Sequence, residues 1–101
     1  MKLENEKALI RTIAEGNTKS FEVLFYSYYP RLKGFICDLL QSPEEAEDIS
    51  QDIFTTLWQN RTSLDKIDNI SAYLFRIAKN AVYRHIERNM LFKNYQQKQT
   101  E

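Results

Sequence analysis

Two glycines and two prolines among 101 residues leave little material for turns. A β-sandwich or barrel needs frequent turns, and turns draw on Gly and Pro for backbone angles that other residues avoid. The scarcity points to a few long helices joined by short connections. Apolar residues agree: they recur three and four positions apart, and no stretch alternates with period two as a half-buried strand does. At 43% hydrophobic, a chain of this length can build one core. The expected architecture is all-α, a compact orthogonal bundle of about four helices. Residues 1–93 form one domain in this reading, and 94–101 (Asn-Tyr-Gln-Gln-Lys-Gln-Thr-Glu) a linker or disordered tail.

The first helix is expected from about Glu4 to Glu15, with Leu9, Ile10 and Ile13 facing inward and Gly16 as its stop. The second begins after Asn17 or Thr18, either of which can cap it. Its stripe runs through Phe21, Leu24, Phe25, Tyr28, Leu32, Phe35, Ile36 and Leu39, interrupted by Pro30, where a kink or short break is expected. The third start is the most strongly marked. Ser42 can cap, Pro43 suits the first helical position, and Glu45 stands where a capping box needs it. Acidic residues then follow at the positive end of the helix dipole. That helix should reach about Gln59. Asn60–Asn69 reads as a polar connection anchored by Leu64 and Ile67. Ser71 can cap a fourth helix running to about Met90.

Net charge is formally zero, yet it is unevenly distributed. Residues 1–60 hold six Lys/Arg against ten Asp/Glu, and residues 61–101 hold eight against four. An acidic half followed by a basic half suits two different binding surfaces, though solvated helix faces give the same pattern. The lone Cys37 cannot form an internal disulfide and sits among apolar neighbours as a small core residue. No secretory signal is present and no uninterrupted apolar run exceeds four residues, so the expected location is cytoplasmic, with no membrane span. His85, the single histidine, has no nucleophile or carboxylate at a recognisable spacing. There is no phosphate-cradling loop and no metal-ligand set, so neither an enzyme nor a cofactor is expected.

Two helix faces remain. On the third helix Ala46, Ile49, Ile53 and Leu57 form a core stripe flanked by Phe54 and Trp58. Asp48, Gln51, Asp52, Thr55 and Gln59 form a polar ridge that can meet a basic partner, although most such ridges are simply solvated. Asp48 and Asp52 lack the further ligands a metal would need. On the fourth helix Leu74, Ile77, Ala78, Ala81 and Val82 point inward. From Ala72 to Lys98 there are six basic residues and one acidic. Basic side chains neutralise phosphates, Asn can bond a base edge, and exposed Tyr can stack on an unpaired base. Cations near a helix C-terminus also suit its dipole, which leaves a purely structural alternative.

Certain stretches resemble region 2 of extracytoplasmic-function (ECF) sigma factors. They are Ala14-Glu15-Gly16-Asn17 with Ser20-Phe21; Leu24-Phe25 with Tyr28-Tyr29-Pro30-Arg31-Leu32; Glu44-Glu45-Ala46-Glu47-Asp48-Ile49 with Gln51-Asp52-Ile53-Phe54; Leu57-Trp58; and Ala72-Tyr73-Leu74-Phe75-Arg76-Ile77-Ala78-Lys79-Asn80. The likeness spans roughly Ala8 to Arg88, and Ile67 to Asn80 is most similar to versions common in Bacteroidetes. The resemblance implies that Asp48, Gln51, Asp52 and Thr55 dock on the β′ clamp helices of RNA polymerase. It implies that the fourth helix and the loop before it recognise and melt the promoter −10 element. One non-template base is then held in a pocket formed by the loop Asn60–Ser71, which offsets the cost of unstacking it. Arg61, Arg76, Lys79, Asn80, Tyr83, Arg84 and Arg88 are the expected DNA contacts, Asn80 at a base or sugar and the arginines and lysine at phosphates. The two sets are expected on opposed surfaces. An anti-sigma factor is an open further partner. Family members also carry a second helical domain that reads the −35 element. This sequence stops short of it: either it is a piece of a longer chain, the favoured reading, or the protein lacks that reader. The competing reading is a helical protein-interaction or regulatory module without nucleic-acid binding. It would require Arg76, Lys79, Asn80 and Arg84 to be engaged within the protein.

Overall fold

The computed structural model describes residues 6–99, with side chains as far as Phe92. Four α-helices and one short 3-10 helix follow in order: α1 (Glu6–Ala14), α2 (Thr18–Leu40), α3 (Pro43–Gln59), the 3-10 helix (Arg61–Lys66) and α4 (Ile70–Gln99). The all-α bundle is as expected, and no strand occurs among the described residues. The expected first residues of α1, Glu4 and Asn5, and the last two of the tail lie outside the described residues.

Local chemistry explains most boundaries. α1 ends where Gly16 takes φ +97°, a left-handed angle that glycine adopts without a Cβ clash. Gly16 N–H then donates to Ile13 O and Asn17 N–H to Thr12 O, satisfying carbonyls the helix leaves open. The Asn17 side chain accepts from Ser20 N–H at 3.0 Å and starts α2. Gln41 closes α2 at φ 56° and donates through Nε2 to Asp38 O. Ser42 Oγ accepts from Glu45 N–H at 3.3 Å to start α3. Only half of a capping box forms. The Glu45 carboxylate turns instead to His85 Nε2 on α4, 3.2 Å away.

Pro30 does not break α2, which is continuous over 23 residues. The carbonyl left without its donor is that of Tyr26, whose side chain is 73% exposed, so water can reach that face. Meanwhile Leu24, Tyr28, Leu32 and Ile36 keep one unbroken buried stripe past the proline. Burial of that stripe outweighs one lost hydrogen bond. The start of α4 also differs from expectation. Asn69, not Ser71, caps it: Asn69 Oδ1 accepts from Ala72 N–H at 3.1 Å and its carbonyl accepts from Tyr73 N–H.

The core gathers Ile10 and Ile13 of α1, the α2 stripe, Ala46, Ile53, Phe54 and Leu57 of α3, Leu64 of the 3-10 helix, and Ile70, Leu74, Ala78 and Val82 of α4. Ile49, Ile77 and Ala81, expected to face inward, are only half-buried. Ser50 is fully buried although polar. At 30 residues α4 is about 45 Å long. It therefore outruns the bundle and passes through most of the segment read as a tail. Its four-residue apolar spacing continues into solvent at Ile86 and Met90.

Candidate functional site

The polar ridge of α3 is where the sequence placed it. Asp48, Gln51, Asp52, Thr55 and Gln59 are all exposed, because Ala46, Ser50, Ile53 and Leu57 occupy the inner face of the same helix. Its members do not share one environment. Gln51, Thr55 and Gln59 border a groove of about 620 Å³ between α2 and α3, whose other walls are Thr18, Phe21, Phe25, Phe54 and Trp58. The Phe21 and Trp58 rings lie 5.1 Å apart, and Phe25 meets Phe54 edge-on at 5.1 Å. These contacts fix the aromatic wall. Spacing assigned Phe21, Phe25 and Trp58 to the core. They are half-exposed and line this groove instead. Asp52 faces the other way, into a cleft between α3 and α4.

On α4, Arg76, Lys79, Asn80, Tyr83, Arg84 and Arg88 are all exposed. Among the described residues none of these makes an ion pair; the carboxylate contacts present are Lys33–Glu47 and the His85 Nε2–Glu45 contact. Arg76 lies over the Tyr73 ring and Lys79 over the Tyr83 ring, at 5.7 and 5.8 Å, which holds cations and aromatics as one surface. The row divides in two. Asn80, Tyr83 and Arg84 border a shallow depression on the outer side. Arg84 and Arg88 turn toward the α3–α4 cleft.

That cleft holds about 340 Å³, within the range of small-ligand sites. The connection 60–69 contributes Asn60, Ser63, Leu64 and Ile67, and α4 contributes Tyr73, Ile77, Arg84 and Arg88. Its floor is apolar, and Asp52 and the two arginines stand at its borders. The acidic and basic surfaces are thus not opposed. They meet here, because short connections bring α3 and α4 together with one flank of each facing the same space.

Arg61 is in a different situation from the other expected DNA contacts. It is half-buried, its Nη1 donates to Trp58 O at 3.0 Å, and its Cζ lies 4.4 Å from the Trp58 ring centre. It stabilises the open carbonyl end of α3. His85 is half-buried and reaches Glu45 and Asn89.

A family model, sigma-70 region 2, matches residues 24–91, more than half of the chain. The chain belongs to the sigma-70 region 2 family. Two curated relatives agree with an ECF-type, sigma-70-like domain. This sigma region 2 chain is 31% identical over 75 residues to "ECF RNA polymerase sigma factor RpoE" of Cereibacter sphaeroides, covering 72% of this chain and 41% of that protein. It is 23% identical over 83 residues to "RNA polymerase sigma-H factor" of Pseudomonas aeruginosa, covering 82% of this chain and 43% of that protein. The chain therefore spans about two fifths of the length of these relatives. No solved structure matches it. No helix among the described residues is long and apolar enough to cross a membrane. The family match begins at Leu24, so α1 and the α1–α2 turn lie outside it.

Proposed function

We propose that this chain is the polymerase-binding and promoter-melting part of an RNA polymerase sigma factor, acting in the cytoplasm and catalysing no reaction itself. One observation carries the reading. In a sigma region 2 domain, a row of exposed cations on α4 stands beside a cleft whose wall is the connection before that helix. Such a surface suits single-stranded DNA: the cations follow phosphates, Tyr83 and Tyr73 offer stacking faces, and the cleft receives one unstacked base. Arg76, Lys79, Arg84 and Arg88 take the phosphates in this reading. Asn80 contacts a base or sugar from the outer depression, outside the base-holding cleft.

The exposed ridge Asp48, Gln51, Asp52 and Thr55 is the proposed dock for the β′ clamp helices, with Phe21, Phe25 and Trp58 supplying apolar contact beside it. Carboxylates on α3 give the charge complementarity that steers such a partner. The rival reading, an interaction module without nucleic acid, is less well supported, because among the described residues Arg76, Lys79 and Arg84 form no internal ion pair and all three, with Asn80, are exposed. An anti-sigma factor remains a proposed partner without a site on this surface.

Two binding measurements test the proposal. Single-stranded −10 DNA is expected to bind more tightly than the same sequence as duplex, with affinity falling steeply as salt rises. Equal binding to both forms removes the melting role. Against a purified β′ clamp-helix fragment, Asp48→Ala and Gln51→Ala are expected to weaken binding at unchanged helicity. Undiminished binding by both variants removes the docking assignment.

A further inference from the structure

The connection 60–69 contains only two turns of 3-10 helix between two long helices, yet it is held at its start, middle and end. At its start Arg61 lies over the Trp58 ring and bonds the Trp58 carbonyl. The Arg61 stem runs beneath the α1–α2 turn, where a Cβ placed on Gly16 would lie 3.9 Å from Arg61 Nε. In the middle Leu64 is 2% exposed, in the core cluster that also holds Ile10 and Ile13 of α1. At the end Glu6 Oε1 accepts from Ile70 N–H at 3.0 Å, across 64 positions of sequence. A carboxylate suits the positive end of α4, and it satisfies an amide that α4 itself leaves open. α1 packs chiefly against the 3-10 helix. It also lies before the segment matched by the family model.

We infer that Arg61 and Glu6 are positioning residues that hold the connection 60–69 in shape for base capture, and that Arg61 contacts no phosphate. The inference rests on the base-capture reading above and assigns α1 a part in it. A guanidinium already stacked and bonded within the fold must abandon both contacts to reach DNA. Of the exposed arginines of α4, Arg76 has only the longer Tyr73 contact at 5.7 Å, and among the described residues none bonds a carbonyl as Arg61 does. Replacing Arg61 by Lys keeps the charge but loses the flat, forked group that both covers the ring and meets the carbonyl. A phosphate contact tolerates that change, whereas a clamp does not.

The test uses the 101-residue chain and a pool of single-stranded DNA with six randomised positions. Sequencing the bound fraction yields a preferred sequence. Anisotropy titrations then compare it with its single-base variants over a salt series. The wild-type chain is expected to discriminate by roughly tenfold or more at one position, as a specific base contact does. Arg61→Lys and Arg61→Gln are expected to reduce that ratio to about twofold or less while leaving the slope of log K against log salt unchanged. Glu6→Ala is expected to do the same, and Glu6→Gln, which keeps an acceptor oxygen, to restore part of it. Arg76→Gln provides the contrast: discrimination stays and the slope falls by about one.

Discrimination retained by Arg61→Lys, or a slope lowered by about one in Arg61→Gln, overturns the clamp and leaves base capture standing. A wild-type chain with no sequence preference overturns base capture itself and the clamp with it. Amide hydrogen exchange gives a second readout that needs no DNA. The clamp requires faster exchange at 61–70 in Arg61→Lys and Glu6→Ala while α2 stays as slow as in the wild type. Unchanged exchange at 61–70 counts against it as well.

Discussion

Tyr28 is the largest fully buried side chain of the domain, and its hydroxyl has no hydrogen-bond partner. Replacing it with Phe removes that oxygen and leaves the ring, so the core keeps its shape. A buried polar group without a partner costs about 1–3 kcal/mol. Tyr28→Phe is therefore expected to stabilise the domain by about 1 kcal/mol, raising Tm by about 4–8 °C for a chain of this size. Alkaline pH adds a second signature. Burial, and then the negative charge of Glu6, push the Tyr28 hydroxyl above its ordinary value of 10.0. Arg31 and the Ser71 hydroxyl offset part of the rise, but Ser71 does not close to hydrogen-bonding geometry. The unfolded chain releases this proton at its ordinary value, while the folded chain retains it. The contribution of Tyr28 to stability is thus intact below that pH and is lost as pH rises through the folded value. Urea unfolding followed by circular dichroism, from about pH 8 to pH 11, measures both effects. The advantage of Tyr28→Phe should be present at the lower pH and widen at the higher. A variant less stable than wild type at the lower pH, or an advantage that does not grow with pH, refutes the argument.

Three further outcomes follow from particular contacts. Ser50→Ala removes the other unpartnered buried hydroxyl, in mid-helix, and should stabilise α3 by about 1 kcal/mol in urea unfolding. Asn69→Ala should cost about 1 kcal/mol through loss of the α4 cap, and Ser71→Ala clearly less; the reverse order would return the cap to Ser71. Lys79→Gln should weaken binding to single-stranded DNA almost equally for all sequences and lower the salt slope by about one, as measured by anisotropy.

Much of the fold was legible in the residues. The scarcity of Gly and Pro, the three-to-four spacing of Leu24, Tyr28, Leu32 and Ile36, and the stop and start signals at Gly16, Asn17, Ser42 and Pro43 act within one or two turns of chain. A reader of neighbouring residues can therefore recover them. Exposure of Asp48, Gln51, Asp52, Arg76, Lys79 and Asn80 was legible for the same reason, since a helix that buries one stripe must present the opposite one. The family resemblance was carried by ordered local motifs, and the match over residues 24–91 bears out the sigma region 2 assignment.

What the residues could not disclose depends on which helix lies beside which. Glu45 leaves its own helix end for His85, forty positions away, and Glu6 supplies an acceptor to Ile70. Asp52 and Arg88 share a cleft although their helices carry opposite charge. Arg61 is half-buried against Trp58, whereas the α4 cations are exposed. Spacing reports the face of a helix on which a side chain sits. The neighbour across that face is chosen by burial of the whole core, a sum over all the helices at once, and it is read only from the assembled bundle.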